Sequence, residues 1–292
     1  MEKSFPLVYA VVVNWNSRDT ISACLTSLFR SDYPNLQIVV VDNYSTDGSL
    51  EFIRQNFDRT HIIQNDRNVG FGMGANVAIR FALEKMADYI FLINPDATIQ
   101  PSALSQLVTT LQFNPQAGIV SPLITTGSKS SIWFAGGIID WKKMRAEHQF
   151  EQPTIDKPLE TEFVSGCAML VSKDVFREIG LFSQDYFLYY EDVGFCRRAK
   201  LKGFHILLDP RARVWHAETS EQRSAEKTYW LVFSALIFFA KHSPFRWRLW
   251  HFIYLPLRRL KNWRDLKNNP THSLALATQR AYSDFTQWKR HR

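Results

Sequence analysis

Four places along the chain carry side chains suited to chemistry. The apolar run Tyr89-Ile90-Phe91-Leu92-Ile93 stops at Asn94-Pro95-Asp96. Such a run reads as a strand buried on both faces of a parallel sheet, and proline, which has no N–H, ends it. Asp96 then stands at the strand's carboxyl end, where open α/β sheets receive ligands. A carboxylate there suits a hard divalent cation of the kind that sits on phosphates. A second apolar run, Ile38 to Val41, ends in Asp42-Asn43. Parallel strands bring both ends to one edge, so Asp42 and Asp96 flank one crevice, and Asp42 can accept from a base N–H or a ribose hydroxyl. Glu191-Asp192 opens a helical stretch. There the helix dipole is expected to hold the carboxylates' pKa low, giving a weak, ionised base suited to a hydroxyl whose proton leaves as a new bond forms. His216 follows Val214-Trp215 at a strand end, with Glu218 close behind, and can reach a metal or a phosphate. Each position also has a plainer reading: a turn aspartate, a capping residue, a first-turn acid, a structural histidine.

These residues need a scaffold that delivers them to one place. Alternating strand and helix patterns supply it. Leu7 to Val13 reads as a strand, and Asn16 and Ser17 can cap a helix whose apolar face is Ile21, Cys24, Leu25 and Leu28. Asp47-Gly48-Ser49 opens the next helix, followed by a short strand near Ile62. The turn Asn68-Val69-Gly70-Phe71-Gly72 leads into a helix through Ala75, Ile79, Ala82 and Leu83. After the strand that ends at Asn94, a helix near Ser102 to Leu111 and a strand near Ile119 follow. Repeated βα units predict a mostly parallel α/β sheet with helices on both faces. Beyond residue 124, Gly127 to Ser131 and Gln152 to Pro158 read as loops. Phe163 to Val171 reads as a strand, Asp174 to Ile179 as a helix, Glu191 to Lys202 as a helix closing at Gly203, and Phe204 to Leu208 and Ala212 to His216 as two strands around Pro210.

Two nucleotide motifs are matched only superficially. The glycine turn at Asn68 has no lysine, which the Walker loop requires, and Val13 to Ser17 has no glycine, which a dinucleotide fingerprint requires. Its glycines instead permit a tight turn and a close backbone approach to a ligand. Cys24, Cys167 and Cys196 sit inside apolar patterns and read as reduced core residues of a cytosolic protein, and the start of the chain shows no signal peptide.

The net charge of +7 is uneven: residues 241–292 hold 12 Lys/Arg against Asp265 and Asp284, while the preceding residues hold 23 against 26 acids. Division into a 1–224 α/β unit and a 225–292 helical, basic, aromatic appendage follows from this change of character. Trp230 to Ala240 is apolar but about half the roughly 20 residues that span a bilayer. Phe245 to Trp263 alternates aromatic and aliphatic residues with arginine and lysine, the make-up of a helix lying on an anionic membrane; packing on its own domain or in a homodimer is the other reading. No recognisable nucleic-acid module accompanies the charge.

Together the segments resemble the family 2 glycosyltransferases, in the bacterial rhamnosyltransferase-like branch. The resemblance lies in Val11 to Asn16, Val41 to Ser49, Asn68 to Gly72, Asn94-Pro95-Asp96-Ala97, Ser165 to Leu170, Phe187 to Asp192 and Trp215-His216, in family order over residues 7–216. It implies a GT-A fold, a nucleotide-diphosphate-sugar donor, a divalent metal (Mg²⁺ or Mn²⁺) and inversion at the anomeric carbon. It also implies that Asp42 binds the nucleoside, and that Asn14, Asn68 and Gly70 lie in donor-binding stretches. By the same resemblance, Asn94-Pro95-Asp96 stands at the Asp-x-Asp position. Asp96 then ligates metal, and Asn94, a departure from the pattern, brings no charge. Asp192 matches the acceptor-activating base with Glu191 beside it, His216 contacts metal or diphosphate, and Gly166 and Cys167 lie where donor sugar and acceptor meet. The implied enzyme transfers a sugar, with rhamnose from dTDP-rhamnose favoured, to a growing or polyprenyl-diphosphate-linked surface glycan at the cytoplasmic membrane face. Transfer of galactose, glucose or an N-acetylhexosamine, or a non-catalytic nucleotide-sugar-binding scaffold, are the alternatives.

Overall fold

The computed structural model describes residues 5–127, 131–217 and 224–291; Glu218 therefore lies outside the described residues, as does most of the loop read at 127–131. The first half alternates as its periodicity requires: β1 (Val8–Asn14), α1 (Ile21–Phe29), β2 (Leu36–Asp42), α2 (Ser49–Asn56), β3 (Thr60–Gln64), α3 (Phe71–Glu84) and β4 (Tyr89–Ile93). Then come β5 (Ala97–Ile99), α4 (Ala103–Phe113), β6 (Ala117–Thr126), β7 (Ser131–Phe134), β8 (Gly137–Asp140), β9 (Arg145–His148), β10 (Leu159–Glu160) and β11 (Ala168–Ser172). The chain finishes with α5 (Lys173–Ile179), α6 (Glu191–Leu201), β12 (His205–His216), α7 (Ala225–His242), α8 (Phe245–Asn268) and α9 (Ser273–Arg290).

The large sheet runs β10-β12-β6-β11-β4-β1-β2-β3, with β5 added to β12 and β7 to β6. Strands β1, β2, β3 and β4 are mutually parallel, and β6 and β12 are parallel to each other. Strand β11 runs against both β4 and β6, so the two parallel blocks point the same way. The ends of β1 and β2 are in register, Asn14 opposite Asp42. Every residue of β1 is buried, as a central strand covered on both faces must be. Helix α1 buries Ile21, Cys24, Leu25 and Leu28 as their spacing predicts, and all three cysteines are buried free thiols.

Three local expectations are corrected. Asn16 and Ser17 do not cap α1: Asn16 has a left-handed φ of 51° and its Oδ1 accepts from the Thr46 N–H, while Thr20 precedes the helix without a side-chain cap. Phe163 to Cys167 is not strand: Phe163 makes an isolated bridge to Gly137, and β11 begins only at Ala168. The two strands read around Pro210 are one, β12, whose pairing with β6 slips between Asp209 and Arg213. The slip absorbs the proline, which has no N–H for the ladder.

The C-terminal helices pack on the body. Helix α7 starts at Ser224, whose Oγ accepts from the Lys227 N–H, and buries Leu236 to Phe239 in the main core. Helix α9 lies along α7 and α8 and buries Ala281, Tyr282 and Phe285. Helix α8 buries only Asn262. Its outer side exposes Phe245, Leu249, Phe252, Ile253, Leu257, Leu260 and Trp263. Among the described residues no helix is long and apolar enough to cross a membrane.

Candidate active site

A cavity of about 240 Å³ opens at the carboxyl edge of β4, and its lining includes Asn94, Gly166, Cys167, Glu191, Asp192 and His216. Six of the residues picked out in the sequence thus meet in one place. Asp96 adjoins them through His216. Asn14, Asp42, Asn68 and Gly70 do not line this cavity; Asn14 and Asp42 end β1 and β2, and Asn68 and Gly70 precede α3.

Asp192 owes its position to an unusual corner. Tyr189 and Tyr190 both adopt left-handed backbone, with φ of 66° and 65°. For bulky L-residues this costs energy and persists only where surroundings over-determine it. Here the surroundings come from α7 and β9. The Tyr190 ring lies 5.4 Å from that of Phe238, and its hydroxyl accepts from the Ala146 N–H at 3.1 Å. The Leu188 carbonyl accepts from Ser234 Oγ at 2.8 Å, and Phe187 stacks on Trp230 at 4.5 Å. The corner turns directly into α6, so Glu191 and Asp192 occupy its first turn.

The two neighbouring acids then diverge. Asp192 Oδ2 accepts from the Gly166 N–H at 2.8 Å and Oδ1 from the Val193 N–H at 2.7 Å. Glu191 is 6% exposed and its Oε2 has no partner. Burial raises the pKa of both, and Glu191 is pushed furthest, by burial first and then by the charge of Asp192. The expected lowering by the helix dipole is therefore overturned: removal from water outweighs it. The two backbone donors favour the charged form of Asp192, so in the pair Asp192 carries the charge and Glu191 the proton. Gly166 leaves room for the Phe71 ring, which a Cβ there would approach to 3.1 Å.

Asp96, in the turn between β4 and β5, and His216, at the end of β12, are far apart in sequence. The turn after β4 closes with the Ala97 N–H on the Asn94 carbonyl, while the Asn94 N–H donates to the Cys167 carbonyl. Strand β5 then pairs with the end of β12, setting Ala97 opposite His216. His216 Nε2 lies 3.1 Å from Asp96 Oδ1. Its ring is 2% exposed, walled by Trp133 at 4.6 Å, and its Nδ1 has no partner. One carboxylate oxygen and one imidazole nitrogen can serve a divalent ion, yet no group of three such ligands exists among the described residues. The pair fits a cation that keeps most of its coordination for water and substrate phosphates, as Mg²⁺ usually does. Asn94 adds no charge to this set.

At the end of β2, Asp42 is fully buried. Its Oδ1 accepts from Asn14 Nδ2 at 2.8 Å and its Oδ2 from the Ser45 N–H at 3.1 Å. Asn14 Nδ2 is also 2.8 Å from Ser49 Oγ, while Asn14 Oδ1 has no partner. Reading the sequence for charge missed Asn43. Its Nδ2 donates to Asn68 Oδ1 and the Gly70 carbonyl, and its Oδ1 accepts from Asn65 Nδ2 and the Val69 N–H. That uses all four capacities of one amide. The signal available was its place beside Asp42 at a strand end. Gly70 has φ 82° and ψ 171°, backbone open almost only to glycine. A Cβ there would be 2.2 Å from the Phe187 carbonyl oxygen, which also accepts from the Phe71 N–H. The glycine turn is thereby locked to the corner that carries Asp192.

Residues 6–230 match a family model described as glycosyltransferase like family 2. Among curated relatives, dTDP-rhamnosyl transferase RfbF of Shigella flexneri is 27% identical over 72% of this chain and 69% of its own. The N-acetylglucosaminyl-diphospho-decaprenol L-rhamnosyltransferase of Mycobacterium tuberculosis is 26% identical over 82% of this chain and 88% of its own. Among solved structures, GalNAc-T7 with UDP, GalNAc and Mn²⁺ superposes with a TM-score of 0.64 over 80% of this chain and 48% of its own, at 17% identity. Mannosyltransferase PcManGT from Pyrobaculum calidifontis in complex with GDP-Man and Mn²⁺ gives 0.61 over 82% and 64%, at 19% identity. This chain thus spans less than two thirds of either solved chain. At such identities the likeness shows the fold, the GT-A arrangement.

Proposed function

The chain belongs to glycosyltransferase family 2, and on that premise we propose that it transfers a sugar, with inversion, from a nucleotide-diphosphate donor to a hydroxyl of a lipid-linked or growing glycan. The observation that carries the reading is Asp192: a carboxylate at the head of α6, held by two backbone N–H groups, in one cavity with His216 and Asn94. Each of its oxygens keeps a lone pair for a substrate proton. In the proposed step the acceptor oxygen attacks the anomeric carbon and the bond from that carbon to the diphosphate oxygen breaks. The diphosphate takes the electron pair, and the hydroxyl proton passes to Asp192. Attack from the side opposite the leaving group inverts the configuration. Asp96 and His216 are the residues to hold a divalent cation, which when bound offsets charge on the leaving diphosphate. Asn43, Asn68 and Gly70 shape the donor's nucleoside side above Asp42 and Asn14. Glu191 stays neutral and keeps a second negative charge away from the diphosphate.

Rhamnose from dTDP-rhamnose is the favoured donor, supported by the rhamnosyltransferases among the relatives. The exposed apolar side of α8, with Phe252 75% exposed, and its arginines and lysines support contact with an anionic membrane, where a lipid-linked acceptor would be met. The test is a screen of nucleotide sugars for nucleoside diphosphate release by the purified protein with Mg²⁺, Mn²⁺ or EDTA. Release with dTDP-rhamnose that EDTA stops is expected. Release from no nucleotide sugar with either metal would refute the reading.

A further inference from the structure

Helix α7 meets the corner that carries Asp192 at three evenly spaced points. The Trp230 ring stacks on Phe187 at 4.5 Å, Ser234 Oγ donates to the Leu188 carbonyl at 2.8 Å, and the Phe238 ring lies 5.4 Å from that of Tyr190. The three side chains are spaced i, i+4, i+8, so they share one face of the helix at steps of about 6 Å. They engage the corner in chain order: 187, then 188, then 190. The helix therefore lies along the turn as a splint.

Ser234 is the polar member of this face. It carries the one hydroxyl between Trp230 and Ala240, and it is fully buried. A serine or threonine inside a helix has a ready partner in the carbonyl one turn back. In α9, Thr278 and Thr286 take that partner, at Leu274 and Tyr282. The Ser234 hydroxyl instead reaches Leu188, 46 positions away. Leu188 directly precedes Tyr189 and Tyr190, whose consecutive left-handed φ angles must be held from outside. Asp192 follows two residues later. The residues that match the family model end at 230, so Ser234 and Phe238 stand in the stretch that composition alone sets apart as an appendage.

We propose that Ser234 is a positioning residue for Asp192, and that α7 belongs to the catalytic unit. The proposal rests on the glycosyltransferase reading and deepens its account of the base. Ser234 touches no reacting atom. Its hydrogen bond fixes the Leu188 peptide plane, and with it the direction in which the chain enters the two tyrosines. Without that bond the corner relaxes toward ordinary backbone, the first turn of α6 shifts, and Asp192 Oδ2 draws away from the Gly166 N–H. A misplacement of about 1 Å in a reacting group can cost about a hundredfold in rate. Trp230 and Phe238 keep the helix docked by apolar contact, so loss of the hydroxyl loosens the corner without freeing the helix.

The test compares Ser234→Ala and Ser234→Thr with the wild-type protein, each as the whole chain. In steady-state release of nucleoside diphosphate, Ser234→Ala is expected to lower kcat about ten- to a hundredfold with donor KM within about twofold. Threonine keeps the hydroxyl and is expected to regain most of the rate. In an Asp192→Asn background, Ser234→Ala is expected to cost less than about twofold more, because a residue acting through Asp192 has nothing left to position. Melting temperatures verify folding, and Ser234→Cys, a weaker donor of similar size, replaces alanine should that variant not fold. A serine that served stability alone would lower the melting temperature and leave kcat unchanged. A Ser234→Ala kcat within about twofold of wild type overturns the proposal, and so does a full further loss in the Asp192→Asn background. A second measurement needs no substrate. Hydrogen exchange at the Gly166 amide is expected to quicken at least about tenfold in Ser234→Ala, with the amides of β1 unchanged. Unchanged exchange at Gly166 overturns the positioning role whether or not a donor is found. Absence of turnover with every nucleotide sugar sinks the enzyme reading, while turnover that survives Ser234→Ala sinks the positioning role alone.

Discussion

Replacing Asp192 by asparagine tests the centre of the argument, because shape is kept while charge and basicity go. A positioned general base contributes about 10²- to 10⁴-fold to rate, so the barrier should rise by about 3–5 kcal/mol. The structure adds a second effect. Both Asp192 oxygens accept backbone N–H groups, from Gly166 and Val193. An amide has one oxygen, so its NH₂ must face one of those donors, and an unmet buried N–H costs about 1–3 kcal/mol. Against this, burial disfavours the charged form of Asp192, so its removal relieves the native state. The two terms oppose, and the melting temperature should move by a few degrees at most. The assay is steady-state release of nucleoside diphosphate, with donor KM measured alongside. The expected outcome is a kcat lowered at least a hundredfold with donor KM changed little, since the donor's contacts lie elsewhere. A kcat within about threefold of wild type would refute Asp192 as base; a loss confined to KM would make it a binding residue.

Other perturbations reach different parts of the molecule. Glu191 sits well above its ordinary 4.5 through burial and the Asp192 charge, so the native state keeps a proton that the unfolded chain releases. Wild-type stability should therefore fall as pH rises above about 4.5, and Glu191→Gln should flatten most of that fall; equal urea midpoints for the two proteins at about pH 5 and at about pH 8 would contradict the assignment. Gly70→Ala puts a Cβ 2.2 Å from a backbone carbonyl in a glycine-only conformation, and should cost about 2–4 kcal/mol; a variant with unchanged denaturation would disprove the lock between the two loops. Phe252→Ser with Trp263→Ser removes two exposed side chains of α8 and should lower sedimentation with anionic vesicles at least about tenfold, with no loss from the unchanged protein in neutral vesicles at low salt beyond its weaker baseline. Equal sedimentation of both proteins would end the membrane reading.

Local chemistry was what the sequence revealed best. A strand cut by Pro95 and an acid pair opening α6 are signals written in adjacent residues, and Asp96, Glu191 and Asp192 all lie where that chemistry put them. Pairings over long separations were less visible. His216 meets Asp96 across 120 positions, and nothing near His216 announces β5 as its neighbour. The Phe163 to Val171 run is apolar apart from Ser165 and Gly166, yet its first half is bent where Gly166 meets Asp192, a tertiary contact that overrides strand propensity. The low pKa expected at the α6 terminus failed for a related reason: the dipole is local and readable, whereas burial against elements distant in sequence, such as Gly72 of α3 beside Glu191, is not. Charge also drew attention to Asp42 and away from neutral Asn43, which organises more of the surrounding loop.

That asparagine has a thermodynamic consequence. Ordering one residue's backbone costs about 1–2 kcal/mol at 25 °C, and a loop left loose exacts that toll from every ligand it closes on. With Asn43 saturated by Asn65, Asn68, Val69 and Gly70, the segment is already arrested in the free protein. A nucleotide arriving there meets a finished surface, and its interaction energy goes into residence and not into immobilising the loop. The amides of Val69 and Gly70 should accordingly be slow to exchange with solvent before any ligand is added.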